Sequence, residues 1–350
     1  MHRTHQPVLW RMALYCLCLS LVWPAAGMAS TSEKADAPPG LMARIKERWQ
    51  ERVLQRKESV ANVQQPTVAL TSPGDYAFSM PHQGYQRSYR VHVPASYRPS
   101  VPTALVLSLH GGGGNMDYQA NDAYYGQISK SEQAGFIAVF PNGYSKLPGG
   151  KLATWNAGHC CGAARDGMSD DVGFIRALVQ RLQTQLNIDH QRIFANGMSN
   201  GGMMSYRLAC ELPDVFRAIA SVAGTDNTVT CTPSAPISVL HIHAKDDELE
   251  LFEGGAGRER AAVSHFVAVP DSIAKWVHLN GCSASPKRVL EVRGAYCDVY
   301  APCRGGVEVK LCVTDSGGHS WPGGTKLRGG ASGSTALSAT EVIAEFFGSR

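Results

Sequence analysis

The chain has 350 residues, 44% of them hydrophobic, with 33 Lys and Arg against 29 Asp and Glu for a formal charge of +4. That length and apolar fraction suit one large α/β domain with a substantial core. So mild a charge argues against a nucleic-acid partner, and no long single-sign block occurs in the main body.

Arg3 and Arg11 introduce an apolar run at 12–23 that is too short to span a bilayer comfortably. Pro24 breaks it, and Gly27-Met28-Ala29 puts small residues where a signal peptidase reads. Residues 1–29 are therefore expected to be a cleaved secretory signal rather than an anchor. Residues 30–73 read as a leader with a linker, and 74–350 as the catalytic domain. The protein is expected to be secreted or periplasmic. Within the leader, Met42, Ile45, Trp49 and Val53 recur at helical spacing among Arg and Lys, so 41–57 reads as a basic amphipathic helix. Its narrow apolar stripe favours docking or solvent exposure over a membrane surface.

From residue 74 the texture becomes globular. Strands are expected at 86–93, 103–109, 136–140, 192–196, 217–223, 237–243, 288–292 and 307–313. Helices are expected at 171–186, capped by Asp170, at 200–210, at 271–279, and from Ser338 to 347, where Ser338 and Glu341 form a capping box. Strands alternating with helices at this spacing indicate an α/β fold with a mainly parallel sheet covered on both faces. The Gly-rich stretch 323–334 reads as a surface loop.

Eight cysteines lie beyond residue 29: Cys160, Cys161, Cys210, Cys231, Cys282, Cys297, Cys303 and Cys312. An even number on an exported chain points to disulfides, and no Cys-x-x-Cys spacing supports zinc. Cys297 and Cys303 flank a turn and are expected to close a local loop.

Gly197-Met198-Ser199-Asn200-Gly201 matches G-x-S-x-G between an expected strand and helix, the context of a nucleophile elbow. Ser199 is the candidate nucleophile. The Asn200 amide, at the start of the helix, is one candidate oxyanion donor. His110-Gly111-Gly112-Gly113-Gly114 ends the buried strand 103–109 and offers a second donor, Gly112 or Gly113. It is not a nucleotide fingerprint, and His110 reads as a structural support. A serine hydroxyl needs a histidine base oriented by a carboxylate, in the chain order Ser, Asp or Glu, His. The strand 237–243 ends in Ala244-Lys245-Asp246-Asp247-Glu248, where Asp246 and Asp247 are equal candidates; Glu250 and Glu253 read as solvated loop charges. The late histidine is His319, between glycine pairs. His241 and His243, two apart on a strand, read as core packing rather than metal ligands. No metal or cofactor is needed.

HGGGGN, TWNAGHCCG, SDDVGFI, GMSNGGMMSYRLAC, HIH-x-x-x-D and GGHSWPGG occur here in one order. In this the chain resembles the polyhydroxybutyrate depolymerase-like and feruloyl esterase-like family of exported α/β-hydrolases, over residues 85–347. The resemblance implies Ser199 as nucleophile, His319 as base, and as acid the residue four after His243, which is Asp247. The chain departs from the pattern at Ala244, where the family has glycine, and this keeps Asp246 in play. Trp155 and Trp321 are expected to line the acyl or alcohol pocket, and Cys161 to bridge to Cys210. Asp170 and Asp171 read as a helix cap. The function that follows is ester hydrolysis through an acyl-enzyme, on hydroxyalkanoate, hydroxycinnamoyl or simple acyl esters. A serine peptidase, an acyltransferase or a non-catalytic protein that kept the fold are the rivals.

Overall fold

The computed structural model describes residues 69–255, 257, 266–325 and 333–350. The chain divides into two units, Met1–Gln55 and Arg56–Arg350, and the described residues all lie in the second. The expected signal at 1–29, the leader up to residue 68 with its 41–57 helix, and the middle of the Gly-rich loop lie outside them.

Among the described residues, ten strands form one sheet: β1 (Gly74–His82), β2 (Tyr85–Val93), β3 (Thr103–Leu109), β4 (Ile137–Pro141), β5 (Ile188–Met198), β6 (Ala218–Val222), β7 (Ser238–Ala244), β8 (Lys287–Val292), β9 (Ala295–Tyr300) and β10 (Val309–Thr314). Their order is β1-β2-β4-β3-β5-β6-β7-β10-β9-β8. The middle six run parallel and the two outer pairs antiparallel. The sequence explains this division. β4, β6 and β7 are buried at every position, as strands covered on both faces must be. The outermost strand, β8, carries Lys287, Arg288 and Glu291 and is mostly exposed; charge of this kind discourages edge pairing.

The major helices are α1 (Gln127–Ala134), α2 (Asp171–Gln185), α3 (Asn200–Glu211), α4 (Val269–Asn280) and α5 (Ala339–Gly348). Alternate side chains of the strands feed two separate cores. Leu105, Leu107, Leu109, Ile193 and Ala195 pack with α2, α3 and α4. Val106, Phe194 and Leu240 pack with α5, where Phe194 stacks on Phe347 at 4.6 Å. The caps fall where expected: Asp170 accepts the Gly173 N–H at 2.9 Å, and Ser338 accepts that of Glu341.

Two strands carry too little apolar pattern to stand out in the sequence. β1 pairs with β2 residue for residue through the two-residue turn Gln83-Gly84, both at positive φ. β9 owes its place to pairing with β10. β5 begins four residues earlier than expected, because half-buried Asp189 and exposed His190 and Gln191 extend it without an apolar signal.

The same pairing corrects two cysteine expectations. Cys297 lies opposite Cys312 in the β9–β10 register and sits at disulfide distance from it, not from Cys303. Cys303 pairs with Cys282, just beyond α4. Cys210 meets Cys231 rather than Cys161, and Cys161 is paired with its neighbour Cys160.

Candidate active site

The strand order reverses between β3 and β5: from β3 the chain steps outward to β4, then crosses back to β5. A crevice at the carboxyl ends of such strands is where open α/β sheets bind ligands. Ser199 follows β5 there, and the HGGGG loop follows β3.

Ser199 has φ 56° and ψ −126°, a conformation that non-glycine residues rarely hold. The elbow is locked by close backbone approach. A Cβ on Gly197 would overlap the Gly201 carbonyl, and one on Gly201 would overlap the Leu109 carbonyl. The Ser199 N–H is bound to the Val222 carbonyl at 2.8 Å. These contacts raise the serine side chain above the end of the sheet.

The second feature is a clamp behind the elbow. The Asn200 side chain accepts the Trp155 N–H at 2.7 Å and donates to the Trp155 carbonyl at 2.9 Å. Trp155 Nε1–H donates to the His110 carbonyl at 3.0 Å. His110 Nδ1–H donates to the Gly111 carbonyl, and its Nε2 accepts the Gly143 N–H. The HGGGG loop is thereby tied to α3, the helix that follows Ser199. Gly112 faces Asn200, while the Gly113 N–H is bound to the Ala153 carbonyl at 2.8 Å. Of the two expected oxyanion donors, Gly113 is thus withdrawn. The Gly112 amide makes no hydrogen bond among the described residues, and Asn200, first in α3, has no carbonyl one turn earlier.

Complete burial pushes the His110 imidazole down to about 4, with Gly111 opposing and Arg87 assisting. Its folded value is depressed, so its stabilisation is present above about pH 6.5 and is lost as the pH falls toward 4. That difference predicts a loss of about 2 kcal/mol between pH 7 and pH 5 from His110 alone. Urea unfolding at the two pH values measures it, and His110→Gln is expected to flatten the dependence.

Asp247 is the carboxylate that reaches the late histidine. His319 Nδ1 lies 2.8 Å from Asp247 Oδ2. Asp247 is buried, and its Oδ1 accepts the N–H groups of Leu249 and Glu250, each at 2.9 Å. His243 Nε2 stands 3.3 Å from Oδ2 on the other side. Burial alone would raise this carboxyl, but the hydrogen bonds from His243 and His319 outweigh it and hold it well below the usual carboxylate range. Asp246 turns the other way and accepts the Gly317 and Gly318 N–H groups at 3.2 and 2.8 Å, fastening the loop that carries His319. Ala244 is tolerated: it completes β7, and its carbonyl accepts the Asp247 N–H.

Other expectations need correction. Glu250 is not a solvated charge. It is 3% exposed, and its Oε1 accepts the Ser199 hydroxyl at 3.3 Å while Oε2 accepts the Thr225 N–H. Among the described residues, Ser199 makes no hydrogen bond to His319. Nothing in the sequence marks Glu250: it returns to the strand end only because Asp247 accepts the amides two and three residues on and closes a tight turn. Trp155 and Trp321 are 0% and 3% exposed, too enclosed to meet a substrate. Trp155 belongs to the clamp. Trp321 packs edge-on against Tyr125 at 5.1 Å and donates to Thr340. Asp170 caps α2, and Asp171 forms a buried ion pair with Arg87 at 2.6 Å. No cluster fit to hold a metal ion occurs among the described residues.

A mainly parallel sheet with a serine elbow after its fifth strand, and an aspartate and a histidine after later ones, defines the α/β-hydrolase fold. Known proteins agree. A prolyl oligopeptidase family model matches residues 164–254, which include Ser199 and Asp247. The chain is 33% identical over 198 residues to the probable feruloyl esterase C of Aspergillus niger, covering 55% of this chain and 67% of that one. It is 28% identical over 240 residues to feruloyl esterase B of Piromyces equi, covering 67% of this chain; it spans only 42% of that relative's length. Among solved structures, an acetyl xylan esterase from Aspergillus awamori superposes with a TM-score of 0.54 over 78% of this chain and 99% of that one, at 13% identity, a likeness of fold. The chain belongs to a feruloyl esterase-like family of carboxylic-ester hydrolases.

Proposed function

We propose that the protein is a serine ester hydrolase acting through an acyl-enzyme, with Ser199 as nucleophile, His319 as base and Asp247 as the group that orients the base. The observation that carries this reading is the Asp247 carboxylate. Its two oxygens face two backbone amides and two ring nitrogens, an arrangement that favours the ionised form. An ionised Asp247 holds the proton of neutral His319 on Nδ1 and leaves Nε2 free to accept one.

The reaction begins as the Ser199 hydroxyl turns from Glu250 to His319 Nε2. Its oxygen attacks the ester carbonyl and its proton passes to the imidazole. The Asn200 and Gly112 amides stabilise the oxyanion. The alcohol departs with the proton from His319, and water repeats the sequence on the acyl-enzyme. The catalytic domain is read as residues 74–350. Its four cysteine pairs suit an oxidising compartment outside the cytoplasm.

The feruloyl esterase relatives favour hydroxycinnamoyl esters as substrates over hydroxyalkanoate oligomers. A fluorophosphonate is expected to label Ser199, and methyl ferulate to be hydrolysed with a higher kcat/KM than hydroxybutyrate oligomers or p-nitrophenyl acetate. Faster cleavage of the oligomers would move the substrate class. Cleavage of peptides but of no ester would replace the activity with that of a peptidase.

A further inference from the structure

Behind Asp247 lies a row of buried titratable side chains that the acyl-transfer steps do not use. Tyr206 on α3 and His241 on β7 are fully enclosed, and His243 is 1% exposed. The Tyr206 hydroxyl is 2.8 Å from His241 Nδ1, and His241 Nε2 is 3.1 Å from His243 Nδ1. The planes of the two imidazoles are within 5° of parallel, with centroids 5.2 Å apart. His243 Nε2 is 2.8 Å from the Glu250 carbonyl and 3.3 Å from Asp247 Oδ2.

Hydrogen-bond chemistry orders the protons along this row. A carbonyl oxygen can only accept, so His243 Nε2 carries a proton. Neutral His243 then offers a lone pair at Nδ1, which requires a proton on His241 Nε2. His241 in turn accepts at Nδ1, so Tyr206 donates. Burial, aided by His243, holds the His241 imidazole far below its ordinary range, in keeping with a neutral ring. Every donor therefore points along the row toward its end, where His243 Nε2 meets the Glu250 carbonyl at 2.8 Å and Asp247 Oδ2 at 3.3 Å. The period-two spacing on β7 is what sets both rings on one side of the strand.

We propose that Tyr206, His241 and His243 form a proton-ordered positioning chain that fixes the Asp247 carboxylate and, through it, tunes His319 as a base. The proposal rests on the reading of Ser199, His319 and Asp247 given above. His243 shares Asp247 Oδ2 with His319, so it draws off part of the negative charge that would otherwise stabilise the imidazolium. Other groups around the set are already engaged. Glu250 lies against Ser199, and Asp246 holds the Gly317 and Gly318 amides. Lys245 and Asp315 pair in solvent. Behind Tyr206, Trp276 packs at 6.0 Å and donates to Asp226, which also pairs with Lys275. Phe252 closes the other side of His243.

The test compares the full chain with His243→Leu, His243→Gln and Tyr206→Phe, using p-nitrophenyl acetate kinetics across pH, fluorophosphonate labelling and thermal melting. His243→Leu is expected to lower kcat on the order of 10-fold with KM nearly unchanged. It should also move the acid limb of kcat/KM upward by roughly half to one pH unit, because His319 then holds its proton more tightly. Glutamine places an N–H donor near the position of Nε2 and should restore the limb. Tyr206→Phe removes one oxygen and should move the limb in the same direction by less. A labelled, active wild type whose limb is unmoved or moves downward in His243→Leu overturns the chain and leaves the hydrolase reading intact, as does glutamine performing no better than leucine. If His243→Leu does not fold, an unmoved limb in Tyr206→Phe overturns it. A wild type that is neither labelled nor active overturns the hydrolase reading, and the chain falls with it.

Discussion

Ser199→Ala is expected to lower p-nitrophenyl ester hydrolysis by at least about four orders of magnitude, with the fold retained. The loss follows from chemistry: without the hydroxyl no acyl-enzyme forms, and only binding and the backbone amides remain. The fold should survive because the side chain makes little structural contribution. Among the described residues, its one hydrogen bond is the 3.3 Å contact to Glu250. Alanine meets the positive φ at a cost similar to that of serine, and Gly197 and Gly201 still admit the turn. Melting should therefore change by no more than about 1 kcal/mol. Hydrolysis rates and a thermal melt of the same preparation measure both parts. Retained turnover by a folded variant would remove Ser199 from the mechanism.

Asp247→Asn is expected to lower kcat about 10⁴-fold with a small change in KM. The side chain keeps its shape but must choose an orientation. The Leu249 and Glu250 amides require an oxygen at the Oδ1 position. The new NH₂ group then faces His319 Nδ1 and His243 Nε2. His319 must shift its proton to Nε2, which disables it as acceptor for the serine proton, and His243 loses an acceptor. A stability loss of about 1–3 kcal/mol should accompany this, from mismatched buried groups. Asp246→Asn serves as the comparison. It should loosen the Gly317–Gly318 loop and reduce kcat far less. The reverse order of effects would transfer the orienting role to Asp246.

Glu250 bears on both results. With its carboxylate against Ser199, the hydroxyl has to change partner before it can act. That contact joins the elbow after β5 to the loop after β7, and the Glu250 backbone also serves Asp247 and His243. One residue thus links Ser199, Asp247 and the buried histidines, although its acidic side chain in a polar stretch gives no sign of burial.

What the sequence alone determined is whatever depends on neighbours along the chain. The buried parallel strands were legible because chain covered on both faces must be apolar throughout. The elbow was legible because steric crowding demands glycine on either side of Ser199. Asp170 and Ser338 could be read as caps because a cap acts within one turn. Tertiary structure decided whatever depends on which segments meet. Asp246 and Asp247 are chemically equal neighbours, and only the turn after β7 sends one to His319 and the other to the Gly317 and Gly318 amides. The cysteine partners follow from strand register and loop path. Gly113 is withdrawn by a carbonyl 40 residues along the chain, at Ala153. Trp155 and Trp321 resemble pocket residues until packing encloses them. His241 and His243 were read as core packing on a strand rather than metal ligands, but the direction of their protons is set by Tyr206 and the Glu250 carbonyl, groups that only the folded chain brings within reach.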